Sequence, residues 1–299
     1  MIDHFVWSVL VVPPLLVVAV RLLADRLAPA AAARAVAWSA AAAALGSTVN
    51  LLLFAAHAVA EVPFVDRPLG WSAAVVAQDT ASEPWVPWLS VGLLAAVVCS
   101  VWYRWSLQRR LLRLLPPGSA EAVVMVPDEV AGAFAVPGRP GHVVVTTGMR
   151  ELLTDRQFEA LLAHERAHLA ERHHRLVRVT ELAVAAHPAL WWVGRHVDYL
   201  VERAADERAA DALGDRRTVA HAIGTAALAG HANPHPSGLH AASIGGIVPR
   251  RVSHLLRPHP AALPGILVAV PILVGLSSLI WTGEATIDLI ELFQAAARR

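Results

Sequence analysis

Four long apolar runs alternate with polar stretches along this chain, at about Phe5–Leu23, Ala35–Ala60, Val86–Tyr103 and Ala261–Trp281. A helix needs roughly 20 predominantly apolar residues to cross the hydrocarbon core of a bilayer, so each run predicts a membrane-spanning helix. Trp85, Trp88, Trp102 and Trp105 flank the third run, where amphipathic indoles suit the two interfaces. Pro13-Pro14 predicts a kink in the first, which membrane helices tolerate. That run lacks a basic leader, carries Asp3 near its start and shows no small-residue cleavage site, so a retained span is favoured over a signal peptide. A fifth run, Leu182–Val193, is too short to span and predicts a buried or interfacial helix.

Between the third and fourth runs the pattern shortens. Pro116-Pro117-Gly118 breaks the chain. Three β-type stretches follow, Ala122–Val126, Ala133–Val136 and His142–Thr147, the last two joined by a hairpin-like Pro137-Gly138-Arg139-Pro140-Gly141. The strand at His142–Thr147 is expected to offer an edge to which an extended peptide adds. Thr154 followed by Gln157 is a capping-box pattern, and it introduces Phe158, Leu161, Leu162 and Leu169 at helical spacing. His196–Leu213 predicts a second, acid-rich helix, while His231–His259, dense in Gly, Pro and His, reads as a loop. Thr286–Ala297 reads either as a short amphipathic helix or as a disordered tail. The expected architecture is a mainly α membrane protein of about four transmembrane helices with an inserted α+β domain. Its parts would be three spans in 1–115, a soluble domain in 116–260, a fourth span in 261–282 and a short tail in 283–299.

Composition agrees with lipid as the main solvent. Apolar residues make up 56% of the 299 and charged residues only 16%, and the mean hydropathy is +0.50. A net charge of +1 gives no electrostatic reason to expect nucleic acid as a partner. Arginines concentrate in the first connection (Arg21, Arg26, Arg34), after the third run (Arg104, Arg109, Arg110, Arg113) and before the fourth (Arg250, Arg251, Arg257). Acids dominate the connection between runs two and three, where Glu61, Asp66, Asp79 and Glu83 face Arg67 alone. The positive-inside rule then places both termini outside the cell membrane and Leu107–Pro260 in the cytoplasm. Arg250, Arg251 and Arg257 would enforce that topology or touch anionic headgroups. Asn50 and His57, polar within the second run, read as interhelical hydrogen-bonding groups or as groups near an interface, with a functional role as the alternative. Cys99 is the single cysteine, so a disulfide framework and a cysteine-based metal cluster are excluded. A metal site must be built from His, Asp and Glu.

Such residues occur at His164-Glu165-Arg166-Ala167-His168, inside the first predicted helix of the soluble domain. Residues four apart share a helix face, so both imidazoles can close on one zinc while Glu165 reaches the metal's water as general base. A catalytic zinc needs a third protein ligand and one open position. His174 stands six residues beyond His168, the spacing of another zinc motif, but Glu171 occupies the required glycine position and no methionine follows. Glu202, with Asp206 on the same face of the second helix, is the favoured alternative, Asp206 then accepting a hydrogen bond from a ligand imidazole. A closed structural site would instead recruit His173 or His174 as a fourth ligand.

Ala163-His164-Glu165-Arg166-Ala167-His168-Leu169, His187-Pro188-Ala189-Leu190-Trp191-Trp192 and Glu202-Arg203-Ala204-Ala205-Asp206 together resemble the BlaR/MecR-type membrane metallopeptidases. These are gluzincins related to HtpX-type and CAAX-processing proteases. Phe134-Ala135-Val136-Pro137-Gly138 and the following strand also look like the region before the catalytic helix in those families, and the resemblance covers roughly Val123–Ala222. It implies a gluzincin-type domain with one zinc held by His164, His168 and Glu202, Glu165 as base and Asp206 as orienting acid. It also implies a polypeptide substrate, such as a BlaI-like repressor. HtpX-like quality control and a non-proteolytic sensor or scaffold are the alternatives. The antibiotic-sensing members carry a penicillin-binding domain after the last span. Only 283–299 follow here, and β-lactam sensing is not expected.

Overall fold

The computed structural model describes residues 2–62, 64, 71–114, 121–232, 247–257 and 265–298. The break expected at Pro116–Gly118 and the domain boundary at 260–261 lie outside the described residues. In chain order the helices begin with α1 (Ile2–Arg26), α2 (Pro29–Ala60), a short α3 (Ala73–Asp79) and α4 (Trp85–Leu114). Strands β1 (Val123–Val126), β2 (Ala133–Val136) and β3 (His142–Thr146) follow. Then come α5 (Thr147–Leu152), α6 (Asp155–Ala170), α7 (His173–Ala186), α8 (Trp191–Leu213), α9 (Arg216–Ala232), α10 (Ile247–Leu256) and α11 (Gly265–Ala297). The fold is mainly α, and among the described residues four helices (α1, α2, α4 and α11) are long and apolar enough to cross a membrane.

Among these four, α2 is the hub. Of its most apolar window 56% is buried, against 17% for α4 and 22% for α11, so the latter two turn most of their apolar surface outward, as helices facing lipid do. Small residues let α2 and α11 approach closely. A Cβ on Gly275 would stand 2.9 Å from the Ser39 backbone, and one on Gly46 would collide with Ser278. Asn50 donates across this seam to Thr282 Oγ1 at 2.7 Å.

The two prolines of α1 have consequences beyond a kink. Val6–Val11 winds as π-helix ahead of them, and proline supplies no N–H to the carbonyls one turn back. Side chains from elsewhere donate to these carbonyls instead. Ser47 Oγ on α2 donates to Ser8 O at 2.5 Å, and His187 Nε2 donates to Val9 O at 3.0 Å. Leu182–Val193 is therefore not the single helix expected. Pro188 cannot continue α7, His187 is extended (φ −141°), and the chain turns into α8. This turn is fastened to α1. Val12, Leu16 and Val20 of α1 share one core with Leu176 and Val177 of α7 and with Val193, Val197 and Leu200 of α8, so the domain's helices grow out of the membrane bundle.

The sheet has the order β1-β3-β2, with β1 parallel and β2 antiparallel to β3. All five residues of β3 are buried. Paired on both sides, β3 has no edge to offer, which overturns the expectation of peptide addition at His142–Thr147. Two further expectations change. Of the stretch read as a loop from His231 to His259, residues 233–246 and 258–259 lie outside the described residues; the rest contains α10, because Val248, Val252 and Leu255 recur at helical spacing and Leu255 joins the core beneath α6, α8 and α9. The stretch from Thr286 to Ala297 is no separate tail but the continuation of α11. There Asp288 meets His4 at 3.0 Å and Phe293 packs on Trp71.

Candidate metal centre

The motif helix α6 starts as its sequence predicts. Thr154 N donates to Gln157 Oε1 at 3.0 Å, and Gln157 N donates back to Thr154 Oγ1 at 3.4 Å, completing the capping box. Its inner face carries Ala160 and Ala167, and the facing α8 carries Ala205 and Ala209, all buried. These short side chains let α8 lie close enough for its carboxylates to reach the imidazoles.

His164 Nε2 and His168 Nε2 lie 3.1 Å apart. Glu202 Oε2 stands 3.6 Å from His164 Nε2, and Glu202 Oε1 stands 3.6 Å from His168 Nε2. Ligands at about 2.05 Å from a tetrahedral zinc are separated by about 3.3 Å. The three observed separations bracket that value. One ligand atom from each of His164, His168 and Glu202 lies within 4.8 Å of the others, and all three residues are shielded from solvent.

The outer ring nitrogens have partners that would let the inner ones offer lone pairs to an ion in this space. His164 Nδ1 is 2.9 Å from Asp206 Oδ1, the carboxylate–imidazole support common behind metal ligands. His168 Nδ1 is 3.1 Å from His173 Nδ1. If His168 presents Nε2 as a lone pair, Nδ1 carries the proton and donates it to His173. The remaining N–H of His173 then points toward Glu171, whose Oε2 is 3.6 Å from His173 Nε2 and 3.7 Å from Arg34 on α2. The turn that brings His173 back under His168 runs through Arg172 in the left-handed region (φ 54°).

Charge in the site asks for a cation. Burial disfavours the imidazolium of His164, yet hydrogen bonding and charge from Asp206 and Glu202 override it and raise the pKa to about 10. Burial pushes the Glu202 and Asp206 carboxyls up, but Arg251 first and the histidines next outweigh it and hold both below the usual range. A proton on His164 thus stands in the position a divalent ion would take. The donor set, its spacing and its excess negative charge all fit zinc.

Arg251 went unrecognised in the sequence as part of the site. Its Nε and Nη2 donate to Asp206 at 2.8 and 2.7 Å, and its Nη1 is 2.8 Å from Glu202 Oε2. The signal available was the apolar spacing of α10, obscured by the Gly, Pro and His residues around it. Glu165 is half-buried beside His164 and contributes to the field around Arg251. His174 does not join the cluster; it stands among Arg172, Arg175 and Arg178, and burial followed by their charge lowers its pKa. Among the described residues, no fourth His, Cys, Asp or Glu stands with the three, and His173 faces the outer nitrogen of His168, so a closed structural site is not built here.

Residues 108–186 match the family model of peptidase family M48. The matched segment contains His164, Glu165 and His168 and ends before Glu202, Asp206 and Arg251, which the fold supplies from α8 and α10. No curated protein and no solved structure matches the chain.

Proposed function

We propose that this chain is an integral membrane zinc endopeptidase in which His164, His168 and Glu202 hold the ion, Glu165 is the general base and Asp206 orients His164. The observation that carries this reading is the convergence of two imidazoles and one carboxylate at tetrahedral spacing, behind a helix whose sequence matches a peptidase family. Zinc bound there would lower the pKa of its water to about 7 and polarise a peptide carbonyl. Glu165, one residue after the first ligand, would take a proton from the attacking water and return it to the leaving amine. Asp206 would keep His164 in the tautomer that presents Nε2 inward.

The distribution of arginines supports a catalytic domain over 116–260 on the cytoplasmic side of the cell membrane, with both termini outside. The resemblance to BlaR/MecR-type proteins supports a regulatory polypeptide as substrate, of which a BlaI-like repressor is the type. The match to family M48 supports HtpX-like quality control of membrane proteins as a second reading. Glu165→Gln tests the chemistry and separates these readings. The purified variant should keep one zinc per chain while peptide cleavage falls about 10²–10⁴-fold; equal activity in both forms would reject the assignment. Used as a substrate trap in cells, the variant should retain one regulatory protein if the role is signalling. Retention of many misfolded membrane proteins would favour quality control.

A further inference from the structure

Arg251 spans two carboxylates with different tasks, and its geometry is more specific than charge neutralisation requires. Two of its N–H groups, from Nε and Nη2, lie on Asp206 and fix the plane of the guanidinium. In a rigid planar fork the direction of Nη1 is then fixed as well, and it meets Glu202 Oε2 at 2.8 Å. The arginine side chain is only 10% exposed and that of Glu202 12%, so little water competes for this contact. Both oxygens of Glu202 lie 3.6 Å from an imidazole, Oε2 from His164 Nε2 and Oε1 from His168 Nε2, but only Oε2 is also engaged by Arg251 in the contacts described.

We propose that Arg251 is a positioning residue that reserves one oxygen of Glu202, so that the carboxylate meets the ion through a single atom and one coordination position stays open. The proposal rests on the zinc peptidase reading. Without this restraint a carboxylate beside zinc can swing to offer both oxygens, filling the position a catalytic site must keep free. A lysine would supply the charge but lacks the three fixed donor directions.

Helix α10 has other anchors, which permits a clean test. Arg216 Nε donates to Leu255 O at 3.0 Å, Leu255 is buried, and Arg250 pairs with Asp25 and lies over the Tyr199 ring at 4.5 Å. Full-length protein in lipid nanodiscs would be loaded with Co2+, whose visible absorption is strong when four-coordinate and weak when the coordination number rises. Wild type should show the strong four-coordinate band. Arg251→Lys should still bind one Co2+ per chain, with the band weakened at least about twofold and zinc affinity lowered about 10–100-fold. Arg250→Ala, which loosens α10 without touching Glu202, should retain the wild-type spectrum.

A wild-type spectrum and affinity in Arg251→Lys would overturn the proposal, as would the same spectral change in Arg250→Ala. Should Arg251→Lys fail to fold, Arg251→Gln, whose shorter neutral amide cannot span both carboxylates, is measured in its place with the same spectral loss expected. Misfolding of both would mean that the guanidinium serves stability alone, and the positioning role would fall. Wild type that binds no metal defeats the peptidase reading itself. Metal-binding wild type beside an unaltered Arg251→Lys defeats only the role of Arg251.

Discussion

The seam between α2 and α11 and the centre between α6, α8 and α10 are built alike and satisfied differently. Both bury polar groups between helices brought together by small residues. In the seam every partner is neutral. Asn50 donates to Thr282 Oγ1 and Gly46 O, and the Thr282 hydroxyl lies 2.6 Å from Ser278 O. In the centre the groups are imidazoles, carboxylates and one guanidinium, and the imidazole of His164 is held cationic by its neighbours. The seam buries no charge, although Asn50 Oδ1 and Ser278 Oγ find no hydrogen-bond partner in it among the described residues. With His164 neutral, as a metal ligand must be, Glu202 and Asp206 carry one negative charge more than Arg251 balances, and a buried charge without a partner costs several kcal/mol. Burying polar groups is therefore not in itself a sign of function here; burying uncompensated charge around a space of ionic dimensions is.

The most effective way to sharpen this contrast within the present site is at His173. If it accepts the Nδ1 proton of His168, His173→Ala should weaken zinc binding about 10–100-fold, the usual cost of losing such support. His174→Ala, one residue along but outside the cluster, should leave the affinity unchanged. Competition with a chelator of known affinity measures both. Equal affinities in the two variants would remove His173 from the support of the metal and return it to ordinary core packing.

How much of this was readable beforehand depended on range. The four spans, the capping box at Thr154 and the facing pair His164 and His168 are all set within one or two helical turns, and local spacing exposes them. Glu202 and Asp206 could be nominated because they too are four apart, although nothing local says which helix they meet. Arg251 could not be. It is 45 residues from Asp206, on a helix whose short apolar repeat is hidden between Gly- and Pro-rich stretches. The pairing of β3 on both sides was equally out of reach, because the parallel partner β1 precedes β2 and joins by a crossover. The polar residues of α11 beyond Gly283 look, by local pattern alone, like the end of the spanning helix. They sit on a continuous helix in which Asp288 finds His4 and Phe293 finds Trp71, partners that only the fold reveals.

The seam can be broken by steric means. At Gly275 an added methyl would stand 2.9 Å from the Cα and carbonyl oxygen of Ser39, backbone atoms that cannot rotate away. Gly275→Ala should therefore force α2 and α11 apart and cost about 1–3 kcal/mol, as overpacking does. Denaturant unfolding in mixed micelles measures the loss. Zinc bound per folded chain should not change, since α11 supplies nothing to the centre; a parallel loss of metal would show that the two regions are mechanically linked.

The smallest effect should come from Asn50→Ala, for a reason the centre makes clear by contrast. Removing the amide leaves Thr282 Oγ1 beside Ser278 O at 2.6 Å and Gly46 O at 3.3 Å, so the hydroxyl on the far side keeps a partner. Gly46 O loses one donor and retains its place in the helix ladder of α2. No charge is stranded. Interhelical hydrogen bonds of this kind in membranes average about 0.6 kcal/mol and reach about 1.7, and the lower figure is expected because the partners are satisfied locally. In the centre the corresponding deletion, Asp206→Ala, would strand Arg251 with one of its two carboxylates gone, and a buried pair broken on one side typically costs about 3–5 kcal/mol. The same unfolding measurement on both variants decides the matter. If Asn50→Ala proved as costly as Asp206→Ala, neutrality would not be what makes a deletion in the seam mild.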